Sequence, residues 1–86
     1  MERPKNREAI KTVVLSLLSD VAPEINTTQL NLTQPLRDQV DIDSMDFLNF
    51  ITKIHEELGV DVPEADYQKL SNLEELISYL AGKMKL

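Results

Sequence analysis

The sequence predicts an all-α fold, a small bundle of three main helices plus one short helix, with a long ordered loop between the first two main helices. Apolar residues recur at spacings of three and four in three separate segments, and no segment alternates as a strand does. Pro23 and Gly59 stand where two of these segments end. With 86 residues, the chain has the size of one small domain. We therefore expect a single domain over 1–86, with 1–6 as a flexible N-terminus.

The first helix is predicted over 7–21. Its apolar stripe consists of Ile10, Val14, Leu17, Leu18 and Val21. Pro23 ends it, because proline cannot continue the helical hydrogen bonds and disfavours helical geometry in the residue before it. The following segment, 24–43, lacks a helical period but contains regularly spaced leucines. We expect an ordered loop that packs onto the core.

The second helix is predicted over 44–58, and Gly59 stops it. Asp43 can accept hydrogen bonds from the first turn, and Asp46 places negative charge at the positive end of the helix dipole. The core-facing row is expected to be Leu48, Ile51, Ile54 and Leu58. That row leaves Met45, Phe47 and Phe50 to widen the buried face or to line something beside it.

The end of the chain predicts two more helices. Pro63 suits the first position of a short helix over 64–69. The segment 71–74, Ser-Asn-Leu-Glu, has the pattern of a capping box for a last helix that starts with Ser71 as its cap. The apolar stripe of this last helix is Leu73, Leu76, Ile77 and Leu80.

Composition and charge narrow the classes of function. The absence of cysteine excludes disulfides, a thiolate nucleophile and sulfur-based zinc sites, and it is compatible with a cytoplasmic location. The net charge of −6 argues against nucleic-acid binding. We expect a monomer without a signal peptide or membrane span. Residues 38–66 hold nine acids against Lys53 alone, so this segment is either a solvated acidic face or a surface for basic partners.

Several catalytic and metal-binding arrangements fail on spacing. The single histidine, His55, lies three turns after Ser44 on the same predicted helix, so the two cannot form part of a nucleophilic triad. A calcium loop starting at Asp41 would place Met45 at a ligand position and Asp46 where the turn needs glycine. With two glycines in the chain, a glycine-rich phosphate loop is also excluded. We expect no metal site.

Ser44 is the residue with the most informative position. A serine at a helix start is usually a cap. Here Asp43 can supply the cap, which leaves the Ser44 hydroxyl free to point outward. A phosphate ester on that oxygen would lie near backbone N–H groups without partners and near the positive end of the helix dipole.

With Ser44 at this position, the sequence resembles the acyl carrier protein family. The family signature is Asp-Ser-Leu at the start of the second helix, followed by an acid, and here 43–46 reads Asp-Ser-Met-Asp. The resemblance extends over nearly the whole chain. It includes the long first loop, the Glu-Glu-Leu-Gly-Val sequence of 56–60, the Val62-Pro63 start of the short helix, and the last helix from Leu73.

The resemblance implies a carrier rather than an enzyme, with an acyl-carrier-like fold. A phosphopantetheinyl transferase would attach 4'-phosphopantetheine from coenzyme A to Ser44, beside the helix cap Asp43, and the thiol of this arm would carry an acyl thioester. Acyl- or aminoacyl-ligases and acyl-transfer enzymes with basic patches would be the other partners. The docking residues it implies are Asp38, Asp41, Met45, Asp46, Glu56 and Glu57. The candidates for an acyl cavity are Phe47, Phe50, Ile51 and Ile54.

The lead-in Val40-Asp41-Ile42 and three positions of the second helix depart from carriers of fatty-acid synthases. Asn49, Lys53 and His55 stand where those carriers often have acids or apolar residues. The cargo and pathway therefore stay open between fatty-acid, polyketide or related biosynthesis and a D-alanyl or aminoacyl (peptidyl) carrier. The alternative outside this class is a helical adaptor in which Ser44 is only a cap and the acidic face is a docking surface.

Overall fold

A computed structural model describes residues 4–85 of the chain. Its elements, in chain order, are α1 (Arg7–Val21), a first 3-10 helix (Thr27–Gln29), α2 (Leu36–Gln39), α3 (Ser44–Leu58), a second 3-10 helix (Glu64–Lys69) and α4 (Leu73–Met84). The all-α prediction is confirmed, and within residues 4–85 no strand is present. The bounds of α1, α3 and the second 3-10 helix are those predicted, whereas α4 begins one residue later than its predicted cap implied. The predicted loop also contains two short helical turns.

The core lies where α1 packs against both α3 and α4. The most deeply buried side chains come from these three helices, and they include Ile10, Val14, Leu18, Phe50, Ile54, Leu73, Leu76 and Leu80. Burial of one apolar stripe from each helix therefore holds the bundle together. At the surface, Arg7 joins the start of α1 to α4, because its guanidinium donates to the Ser78 hydroxyl and lies 3.6 Å from Glu74 Oε1.

The loop between α1 and α3 is ordered by hydrogen bonds to the start of α4. The Leu36 amide donates to the Ser71 carbonyl at 2.8 Å, and the Glu74 amide donates to the Leu32 carbonyl at 2.9 Å. The side-chain amide of Gln39 bonds to both backbone groups of Asn31, at 2.7 Å in each case. Leu36 is buried, as we expected for the loop leucines.

Two sequence predictions about the helices are wrong in detail. Leu48 is not a core residue: its surface is 50% exposed, and Phe50 is fully buried in the row with Ile51 and Ile54. At about 100° per residue, Leu48 lies about 60° round the helix from Ile51, on the side away from Phe50. The cap of α4 is Asn72 and not Ser71, since Asn72 Oδ1 accepts from the Glu75 amide at 2.7 Å.

The predicted flexible segment 1–6 lies partly outside the described residues, which begin at residue 4. Within the described part, Pro4 is buried and Asn6 caps α1 by accepting from the Ala9 amide at 2.8 Å. Among residues 4–85, none of the helices combines the length and the apolar character that crossing a membrane requires.

Candidate functional site

The start of α3 is organised by Asp43. Its Oδ1 accepts from the Asp46 amide at 2.9 Å, and its extended backbone leads into the first turn. The first four N–H groups of a helix lack partners within the helix, and Asp43 satisfies one of them. The cap is therefore provided by the residue before Ser44.

Ser44 is the first residue of α3, and it is exposed. Within residues 4–85, no hydrogen bond engages its hydroxyl, since the carboxylate of Asp43 serves the helix start. His55 lies in the last turn of the same helix, where its Nδ1 is 3.2 Å from the Val60 carbonyl oxygen. The structure therefore leaves the Ser44 hydroxyl accessible and separate from the histidine.

Ser44 lines a cavity of about 450 Å³ between α2, the start of α3 and the second 3-10 helix. This volume is within the range of small-ligand pockets. Its inner surface is apolar: the buried Leu36 and Leu70 form the floor, and the half-buried Phe47 and Tyr67 form the walls. The polar side chains of the lining are exposed at its rim: Arg37, Ser44, Glu64, Gln68 and Ser71. The combination is an apolar pocket with a free hydroxyl at its mouth.

The four cavity candidates from the sequence do not lie together in this pocket. Phe47 lines it, and its ring meets Tyr67 edge-on with centroids 5.8 Å apart. The other three are buried core residues: Phe50, Ile51 and Ile54. Phe50 touches the back of the pocket wall, because its ring packs edge-on against Phe47 at 6.5 Å.

The candidate docking residues lie in different surroundings. Met45 is 74% exposed beside Ser44, and the half-exposed Leu48 follows it one turn later. Asp46 and Glu56 line a shallow polar cleft of about 360 Å³ with Lys53 and the end of α1. The remaining candidates, Asp38, Asp41 and Glu57, are exposed. Across residues 4–85, no cluster of three or more His, Asp or Glu residues is placed to hold a metal ion.

Sequence reasoning missed Leu48 as a surface residue and Tyr67 as a wall of the pocket. Leu48 was ambiguous because it continues the row of Ile51 and Ile54 at helical spacing. Tyr67 gave a weak signal as an aromatic residue in a short polar helix. Its partner Phe47 is twenty positions away, so local spacing did not connect them.

Comparison with known proteins shows one matching family and related carriers. A family profile described as "Phosphopantetheine attachment site" matches residues 12–80. An acyl carrier protein of Thermotoga maritima is 29% identical over 79 residues, which cover 92% of this chain and 96% of that relative. An acyl carrier protein of Chloroherpeton thalassium is 26% identical over 61 residues, which cover 71% of this chain and 76% of the relative.

The family match spans most of the chain, including α3 and the whole lining of the pocket. The cofactor of this family, 4'-phosphopantetheine, is bound covalently. The two relatives are carriers rather than enzymes. The chain therefore belongs to the phosphopantetheine-attachment family, and the two relatives to which it is similar are acyl carrier proteins.

Proposed function

We propose that Ser44 is the attachment point of the 4'-phosphopantetheine arm and that the chain carries an acyl group to partner enzymes without being an enzyme itself. The observation that carries this proposal is the exposed Ser44 hydroxyl at the mouth of an apolar pocket. Asp43 supports it, because capping by this carboxylate leaves the serine oxygen available for modification.

The backbone at the start of α3 suits an anion on Ser44. The first N–H groups of a 15-residue helix and its dipole favour negative charge at this end. When bound, the arm supplies a terminal thiol that holds the acyl group as a thioester. The absence of cysteine from the chain agrees with a thiol that comes from the cofactor.

The pocket beside Ser44 is proposed to shelter the acyl group. Phe47 and Tyr67 form its walls, and Leu36 and Leu70 form its floor. Burying methylene groups against these side chains releases water from apolar surface, at about 0.8 kcal/mol per CH₂. Phe50, Ile51 and Ile54 are proposed to act behind the wall, as the rigid core against which Phe47 packs.

An apolar floor favours an acyl chain over an aminoacyl cargo, because an ammonium group loses hydration when it enters such a pocket. We therefore propose fatty-acid, polyketide or related biosynthesis in the cytoplasm as the setting. A phosphopantetheinyl transferase would load the arm, and ligases and acyl-transfer enzymes would exchange the cargo.

Docking of these enzymes is proposed on the surface next to Ser44. Met45 offers an exposed apolar contact, and Leu48 extends it along α3. Asp38, Asp41 and the half-buried Asp46 lie close to it along the chain, and Glu56 and Glu57 lie at the far end of α3. These carboxylates would attract basic patches. Such charges mainly raise the rate of encounter, which suits brief complexes with several enzymes.

The attachment site is tested by intact mass. A promiscuous phosphopantetheinyl transferase with coenzyme A should add one phosphopantetheine mass to the wild type and none to Ser44→Ala. Ser71→Ala is the matched control, because Ser71 is an exposed serine in the lining of the same pocket, and this variant should load normally. Unmodified wild type, or a loaded Ser44→Ala, would contradict the proposal.

The cargo is tested by charging the loaded protein with a panel of acyl and aminoacyl ligases. Under the proposal, medium-chain acyl groups raise the melting temperature and Phe47→Ala reduces that increase. Preferential charging with D-alanine or another amino acid would instead assign the aminoacyl alternative. An unloaded Ser44→Ala variant that bound its partners unchanged would favour an adaptor.

A further inference from the structure

Arg37 occupies an unusual position at the rim of the pocket. It is the one lysine or arginine in the lining, and its guanidinium carbon lies 5.7 Å from the centroid of the Phe47 ring. Among residues 4–85, the ion pairs are Arg7 with Glu74 and Lys69 with Asp66, so Arg37 is held by an aromatic ring and not by a carboxylate. Its charge is available to another anion.

The surroundings of Ser44 make such a cation useful. Four acids stand within the short segment 38–46: Asp38, Asp41, Asp43 and Asp46. A phosphodiester on Ser44 would add a further negative charge to this region. Phe47 lies one turn after Ser44 on α3, so the guanidinium above its ring shares the pocket rim with the Ser44 hydroxyl.

We propose that Arg37 is a positioning residue: its guanidinium binds the phosphodiester of the arm and favours the arm lying along the pocket instead of in solvent. The inference rests on the proposed attachment at Ser44. A guanidinium suits this role, because its face can stack on an aromatic ring while its N–H edge donates to phosphate oxygens. The packing against Phe47 would limit the rotamer entropy that Arg37 loses on binding.

The experiment follows the arm directly. The wild type, Arg37→Gln, Arg37→Lys and Lys53→Gln are loaded with an isotope-labelled arm, and the nuclear Overhauser effects between the arm and the Phe47 ring are compared. Lys53→Gln is the matched control: it removes one positive charge from a residue in the other cleft, beside α1. All four proteins are checked for loading by mass and for folding by circular dichroism.

We expect these contacts to weaken about 1.4- to fivefold in Arg37→Gln, the range for loss of one exposed ion pair. Arg37→Lys keeps the charge and should retain part of the effect, and Lys53→Gln should match the wild type. Raising the salt concentration to about 1 M should weaken the wild-type contacts toward those of Arg37→Gln, because the Debye screening length is then about 3 Å.

Equal contacts in the wild type and Arg37→Gln would overturn the inference, and so would an equal loss in Lys53→Gln, which would indicate a general charge effect. If Arg37→Gln failed to fold, salt-independent contacts in the wild type would overturn it. Failure of the proposed attachment site is distinguishable, because the wild type would then show no added mass.

Discussion

The Tyr79 hydroxyl donates a 2.7 Å hydrogen bond to Asp66 Oδ2, which ties the second 3-10 helix to α4. Lys69 lies 3.5 Å from the other oxygen of Asp66, and Lys83 stands over the Tyr79 ring at 5.4 Å. The 3-10 helix also contains Tyr67, a wall of the pocket. The Tyr79–Asp66 contact therefore holds the pocket wall in place.

Loss of this contact should change how stability depends on pH. The hydrogen bond from Tyr79, followed by the charge of Lys69, lowers the pKa of Asp66 from its usual 3.8. The stability that comes from this lowered pKa is present above pH 3.8 and is lost as the pH falls through the lowered pKa. Desolvation and then the hydrogen bond to Asp66 raise the pKa of Tyr79 from 10.0 to about 12. The stability that comes from this raised pKa is present below pH 10.0 and is lost as the pH rises through about 12.

Tyr79→Phe is expected to lower the melting temperature by a few degrees at neutral pH. The variant should also lose less stability than the wild type at acid and at alkaline pH. Thermal unfolding followed by circular dichroism from acid to alkaline pH measures this. The control is Tyr67→Phe, because the Tyr67 hydroxyl makes no hydrogen bond within residues 4–85, in contrast to that of Tyr79. Identical pH profiles for Tyr79→Phe and the wild type would show that the contact does not contribute.

Removing the α3 cap should affect stability more than removing the neighbouring hydroxyl. Asp43→Ala leaves the Asp46 amide without its acceptor and should cost about 1 kcal/mol of unfolding free energy. Ser44→Ala should stay within about 0.5 kcal/mol of the wild type, because this exposed side chain makes no such bond. Urea unfolding of the unloaded proteins measures both values. A larger loss in Ser44→Ala than in Asp43→Ala would make Ser44 the structural cap.

Phe50 and Leu48 provide a test of which face of α3 is buried. Phe50→Ala removes a fully buried ring and should cost about 3–5 kcal/mol. Leu48→Ala, at a half-exposed position, should cost no more than about 0.5 kcal/mol. The two values come from the same denaturant series. Comparable losses would mean that α3 is rotated about its axis relative to the described bundle.

The two glycines should respond to alanine with opposite signs. Gly59 ends α3 with φ 68°, a left-handed conformation, so Gly59→Ala should cost about 1–2 kcal/mol. Gly82 lies within α4 with open space around it, and Gly82→Ala should add about 0.5–1 kcal/mol. Thermal unfolding of both variants is the measurement. A Gly82→Ala variant without added stability would indicate that α4 frays before this residue, and a destabilised one would contradict the open space around it.

The start of α4 shows where sequence reasoning was off by one residue. Ser71 and Asn72 can both cap a helix, and Glu74 and Glu75 both follow at the right distance for one of them. The choice depends on the loop before α3, since the Ser71 carbonyl accepts from Leu36 and the Glu74 amide donates to Leu32. These partners are more than thirty positions away in the chain, so no local pattern contained the answer.

By itself, the sequence determined the class of fold, the bounds of α1 and α3, the cap at Asp43 and the resemblance to a carrier family at Ser44. These features depend on interactions within one or two helical turns, which the spacing of residues encodes directly. The tertiary structure alone decided that Phe50 and not Leu48 enters the core, that Tyr67 joins Phe47 in the pocket, and that Arg37 stands over Phe47. Each of these depends on how separate elements pack against one another, and an apolar residue at helical spacing is compatible with more than one such packing.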